Sequence, residues 1–287
     1  MADSNETTII DDPEALERMA TLLEASDKFK ILRRLEPRAG YHVPDGTPTR
    51  RGIFLDVETT GLDSATDEIV ELAMVPFDFT YDGRIFAVHE CFSRFRDPGR
   101  PIAAAVTALT GITEAMVAGA SIDPAEVEAF LGPAAIVIAH NAGFDRRFME
   151  RFCRAFVTLP WACSWAEVPW SEEGFHGAKL THLAAAHGFF HDGHRAVHDC
   201  HAGVEILART LPRSGRTALD VLLESARHGF AVLLTWKTLA LMMVGLVLGI
   251  FVGVLPGLRG PNGVAILLLL TFTMDPTSAI VMLSSIY

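Results

Sequence analysis

Charge divides this chain into two unequal parts, and that division limits its fold more than any other feature. Residues 230–287 carry only three charges, Lys237, Arg259 and Asp275. The preceding 229 residues carry 22 basic and 34 acidic side chains, a net of −12. The first part has the composition of a soluble domain long enough to enclose a core. The second cannot present an ordinary solvated surface. Residues 230–255 hold a single charge, Lys237, over 26 positions, more than the ~20 apolar residues a helix needs to cross hydrocarbon. Within that stretch Gly245, Gly249 and Gly253 recur every fourth residue and give one helix face a smooth packing surface. Leu255-Pro256-Gly257 then breaks the pattern, an apolar run of 11 residues follows at 264–274, and Asp275-Pro276 opens a further helix. Arg213, Arg216 and Arg227 precede the expected span, so the positive-inside rule leaves the N-terminal side in the cytoplasm.

The acidic balance of the first part argues against broad electrostatic binding of nucleic acid and leaves a local basic patch open. Cys91, Cys153, Cys163 and Cys200 form no CxxC pair and read as reduced thiols of a cytosolic protein. The opening "MADSNETTIIDDPEAL" has neither a basic nor an apolar region of the kind a secretory signal needs. Asp12-Pro13 is a helix start, and one or two amphipathic helices are expected from there to about Arg34. Strands are expected at 52–59, 68–79, 84–95 and 134–141, with a turn at Asp82-Gly83, and helices at 124–132 and 145–156 and in "LTHLAAAHGF" and "AVHDCHAGVEILARTL". Three meandering strands followed by alternating helices and a strand imply an α/β layer fold with a mixed sheet.

Two acids interrupt the first of these strands. In "FLDVETTGLD", Asp56 and Glu58 are two apart and point to one face. Two like charges buried together need a positive partner, and a hard divalent cation is the partner that carboxylate oxygens suit. Taken alone, the pair reads more readily as a strand end facing solvent. Further on, "IAHNAGFD" places Asp145 just beyond a strand, and "GHRAVHD" places His194 five residues before Asp199. Four carboxylates and an imidazole in this order suit a two-metal phosphodiesterase, with the histidine as base for the attacking water.

These three segments resemble the exonuclease motifs of the DEDDh superfamily, whose members include the proofreading subunit of bacterial DNA polymerase III and ribonuclease T. The resemblance covers about residues 50–212. It implies a ribonuclease H-like mixed sheet flanked by helices, and removal of nucleotides from 3′ ends with two Mg²⁺ or Mn²⁺ ions. Carried onto this chain, it implies that Asp56, Glu58, Asp145 and Asp199 bind the metals and that His194 is the general base. It places the backbone of Thr59, Thr60 and Gly61 near the terminal nucleotide, Leu62 against its base, and Asn141 and Phe144 beside it. The implied partner is a single-stranded DNA or RNA 3′ end, with a DNA polymerase or a second copy as further candidates. One departure is "LTGIT", where Thr110 stands in place of the family's histidine.

The segment "GLVLGIFVGVLPGLRGPNGVAILLLLTFTMDPTSAIVMLSSIY" resembles part of the large membrane subunit of tripartite tricarboxylate transporters, the TctA family. The expected organisation is therefore an N-terminal helical extension and loop at 1–50, an exonuclease domain at 51–227, and a TctA-like membrane fragment at 228–287, joined between Arg227 and Ala231. The nuclease part is expected in the cytoplasm, at the inner membrane if the tail inserts. The alternative is a component of such a transporter with a nuclease-like appendage. Three local features have competing readings. His191, His194, His198, Cys200 and His201 could suggest zinc, although only His194 and His198 share helical spacing. Arg147, Arg151 and Arg154 could track phosphates or form a solvated face with acids such as Glu150. Trp161, Trp165 and Trp170 could stack on bases or pack in the core.

Overall fold

The computed structural model of the chain describes residues 12–233 and, beyond them, residues 236, 240, 243 and 244. Two compact units divide it, Met1–Leu223 and Glu224–Tyr287. The first unit is built on a six-stranded mixed sheet. Strand β2 (Arg50–Thr59) lies at its centre, antiparallel to β3 (Ile69–Phe79) and parallel to β6 (Ala134–Ala139). Strand β3 in turn pairs with β4 (Ile85–Val88) and β5 (Phe92–Phe95), and β6 with β7 (Trp161–Cys163). The helices are α1 (Pro13–Glu24), α2 (Ala104–Thr110), α3 (Glu114–Val117), α4 (Pro124–Leu131), α5 (Ala142–Phe152), α6 (Ala155–Thr158), α7 (Leu180–Ala186), α8 (Ala196–Ala208) and α9 (Ala218–Leu233). The expected mixed sheet flanked by helices is present.

Ile53, Phe54 and Leu55 of β2 are all fully buried, as a strand covered on both faces requires. Alternation sends Phe54 into one core layer, with Leu183, Val204 and Leu219, and Ile53 and Leu55 into the other, with Val127, Phe148 and Phe156. The first layer packs α7, α8 and α9 on the sheet, and the second packs α4, α5 and α6.

Several expected elements are divided differently. The third strand, expected as 84–95, is two strands, β4 and β5. Pro76 in β3 lacks an N–H, and its carbonyl faces His89, so the missing donor falls on the edge where β4 ends and β5 begins. The helix expected at 145–156 starts earlier, at Ala142, and breaks at Cys153 into α5 and α6. The N-terminal helix ends at Glu24. Arg33–Arg34, expected near the end of helical sequence, form instead strand β1, which pairs in parallel with β8 (Phe189–Phe190).

The expected membrane span at 230–255 lies, beyond Leu233, almost wholly outside the described residues. Among those described, no helix is long and apolar enough to cross a membrane. The expected join between Arg227 and Ala231 falls inside α9.

Candidate active site

The polar site lies where β2 and β6 part. Their parallel pairing ends at Phe54 and Ile138, so the C-terminal ends of the two strands diverge. Such a divergence, with an antiparallel neighbour on the other side, is where α/β sheets leave a crevice. Asp56 and Glu58 follow Phe54 on the same face of β2. Helix α8 crosses that face and brings Asp199 to them. Ligand atoms of Asp56, Glu58 and Asp199 lie within 4.8 Å of one another. The close approach of α8 depends on Gly203, where a methyl group would overlap the Phe54 ring. Gly203 is one turn beyond Asp199, so the same contact sets Asp199 against Asp56.

Asp145 reaches the site from α5. Its carboxylate accepts the Val57 N–H at 3.2 Å, a donor that β6 no longer satisfies once the strands have parted. Asn141 adopts a left-handed conformation with φ of 92°, which turns the chain sharply from β6 into α5. The electrostatics are those of crowded, buried acids. Burial, then the neighbouring Asp145, Asp199, Glu58 and Glu71 carboxylates, raises the proton affinity of Asp56 well above the usual range. Burial, with Asp199, Glu71 and Asp145, pushes Glu58 up to about 8. Burial pushes Asp145 up to about 7, against the Val57 N–H, which favours the anion.

The cavity here has a volume of about 800 Å³. Asp56, Glu58, Thr59, Gly61, Leu62, Asn141, Phe144, Asp145, His194 and Asp199 all line it. Thr60 does not. Its hydroxyl is engaged by Asp67, Arg100 and the Glu68 N–H on the outer side of the turn. His194 is exposed, with φ of 61°, and its N–H donates to Asp199 Oδ2 at 2.9 Å. The histidine-rich run does not converge on a metal: His198 faces the Asp192 carbonyl and Cys200 the Ala73 carbonyl, and the candidate metal group among the described residues is all carboxylate.

Other residues line the cavity too, and of these His140 and Lys179 escaped sequence reasoning. His140, at the end of β6, is held by Ser164 Oγ at 2.9 Å and the Ala178 carbonyl at 2.7 Å, and burial keeps its basicity below the usual value. Trp165 lies nearly parallel to it, 6.2 Å between ring centres, and is 46% exposed. The tryptophans thus divide: Trp161 and Trp170 pack inside, whereas Trp165 lines the cavity. Lys179 and Thr110 also line it. Behind the site, the fully buried Glu71 lies directly across from Glu58 and is neutralised by Arg195 at 3.1 Å. An acid inside the otherwise apolar "IVELAMVPF" was a readable signal of this pair. On α5, Glu150 pairs with Arg146, while Arg147 bonds the Gly143 carbonyl and Arg151 reaches Glu68.

Residues 53–207 match the RNase T exonuclease family, and the chain belongs to it. Residues 239–287 match the tripartite tricarboxylate transporter TctA family. The chain is 28% identical over 222 residues to a DNA polymerase III PolC-type of Caldanaerobacter subterraneus subsp. tengcongensis, covering 71% of this chain and 15% of that protein. It is 36% identical over 190 residues to a DNA polymerase III subunit epsilon-like protein of Rhodobacter capsulatus, covering 62% of this chain and 26% of that one. It therefore spans a minor part of either relative's length. Among solved structures, the zinc-ion-bound E. coli exonuclease I complex with single-stranded DNA matches 67% of this chain and 46% of its own, with a TM-score of 0.52 at 19% identity, a likeness of fold.

Proposed function

We propose that this chain is a 3′→5′ exonuclease that hydrolyses terminal phosphodiester bonds of nucleic-acid strands with divalent cations, its nuclease domain spanning 51–227. The observation that carries the reading is the convergence of Asp56, Glu58 and Asp199 within 4.8 Å, in one cavity with Asp145 and His194. The donor set fits a hard cation: it is all carboxylate oxygen, and its acids hold protons unusually tightly where no cation is bound. Asp56, Glu58, Asp145 and Asp199 would hold Mg²⁺ or Mn²⁺. Such ions, when bound, lower the pKa of a water and offset charge on the leaving oxygen.

The remaining work falls to the chain's own side chains. His194, at the exposed rim, accepts the proton of the attacking water at its ring nitrogen and passes it to solvent. Leu62, Phe144 and Trp165 give bases apolar and aromatic surfaces, which tolerate any sequence. The backbone at Thr59 and Gly61, both of which line the cavity, would approach the terminal nucleotide. Gly61 keeps that turn tight, since a methyl there would overlap the Asp67 carboxylate. The relatives' names, both DNA polymerase III proteins, support a role beside a polymerase, and the exonuclease I complex supports a single-stranded substrate.

The test is release of mononucleotides from a 3′-labelled single strand by the full chain with Mg²⁺. Asp56→Ala is expected to abolish release. His194→Ala is expected to lower it about 10²–10⁴-fold while Mn²⁺ binding persists. Equal release by Asp56→Ala sinks the proposal. The match of residues 239–287 to a transporter family favours a second element of the reading, attachment of the chain to a membrane by its C-terminal part.

A further inference from the structure

His191 takes no part in the chemistry proposed above, yet its side chain is only 3% exposed and touches the site. Its Nε2 lies 2.7 Å from Asp199 Oδ1. Its Nδ1 is buried without a hydrogen-bond partner among the described residues. A carboxylate can only accept, so Nε2 is the donor of this pair. A buried ring nitrogen without a partner is unfavourable, so the value of an imidazole here lies in its other nitrogen.

We propose that His191 is a positioning residue for Asp199. Oδ1 of that carboxylate is held by the His191 ring and Oδ2 by the His194 N–H at 2.9 Å. With both oxygens anchored from the protein side, rotation of the carboxylate is opposed, and its remaining lone pairs are left for a cation shared with Asp56 and Glu58. The two anchors come from one short segment, so the metal ligand and the exposed base His194 are set by the same piece of chain. That segment is itself fixed. β8 ends at Phe190, beside His191, and is paired with β1: the Arg33 N–H donates to the Gly188 carbonyl at 3.0 Å and the Leu35 N–H to the Phe190 carbonyl at 2.8 Å. Arg34 bridges to Asp192 at 2.8 Å. The N-terminal strand lies outside the 53–207 family match.

The inference rests on the reading of the carboxylates as a metal centre, and the test separates the two. Mn²⁺ binding to the full chain is measured by electron paramagnetic resonance, beside kcat and KM on a single strand, for the wild type, His191→Gln, His191→Asn and His191→Leu. Thermal melting checks that each folds. A Gln amide nitrogen reaches the place of Nε2, whereas an Asn amide stops at that of Nδ1. His191→Asn and His191→Leu are expected to bind Mn²⁺ about 10–100-fold more weakly, the usual effect of losing a ligand's outer partner. His191→Gln is expected to stay within about threefold of wild type, by the same argument. Wild-type affinity in His191→Asn, or a His191→Gln no better than it, overturns the proposal alone. A wild-type chain that binds no Mn²⁺ overturns the metal reading and this proposal with it.

Discussion

The carboxylates Asp56, Glu58 and Asp145 are held in a state that is unfavourable for anions, and this makes the stability of the metal-free chain depend on pH. Glu58 titrates near 8 and Asp145 near 7 in the folded chain, mainly through burial; unfolded, both titrate near pH 4. Between those values the native state binds more protons, so stability falls as pH rises. Burial lowers the basicity of His140, His187 and His201 and gives the opposite slope up to about pH 6.5. The carboxylates are therefore read cleanly from about pH 6.5 to 8.5. In EDTA the melting temperature is expected to fall across that window, and Mg²⁺ to restore it more at the upper end than at the lower. A flat or rising melting curve in EDTA contradicts the buried-acid account. At this scale the cavity position of the four acids and His194 was legible in motif spacing, which survives without knowledge of the fold, and that of Asn141 and Phe144 through the family resemblance. His140 was not, His191 read only as part of a zinc alternative, and Trp165 only as one of three tryptophans that could stack or pack. Whether a histidine or tryptophan faces a cavity depends on where a turn places it, and Trp165 falls just past the end of β7.

Among the elements, the decisive contact is that of α8 with β2. Phe54 and Asp56 share one strand face, and Gly203 and Asp199 one helix face, so the ring–glycine contact acts as the stop that sets the carboxylate distance. Gly203→Ala is expected to destabilise the domain by about 1–3 kcal/mol through overpacking and to weaken Mn²⁺ binding at the same time. Denaturant unfolding and a metal titration check both. Loss of stability with unchanged metal affinity would show that α8 shifts without moving Asp199. Strand existence was legible from buried apolar runs, but strand continuity was not. Pro76 stood in plain view inside an expected strand, yet which neighbour loses a hydrogen bond follows from register, and register is a property of the assembled sheet. The two-residue strands β1 and β8 have no periodicity to read at all.

Across the whole molecule, the separation of charge noted at the outset reappears as two family matches that do not overlap, 53–207 and 239–287. Membrane attachment predicts that the full chain, expressed in bacteria, sediments with membranes, resists alkaline carbonate and is released by detergent. Recovery wholly in the soluble fraction contradicts attachment. The parallel pairing of β1 with β8 carries a further consequence, one of timing. Arg33 and its partner Phe189 are 156 residues apart. At a synthesis rate of about 5–20 residues per second, β1 waits roughly 8–30 seconds for its neighbour to be made. The segment bearing His191 and His194 can be clamped only then, so during synthesis the nuclease gains its sheet before its active site is locked.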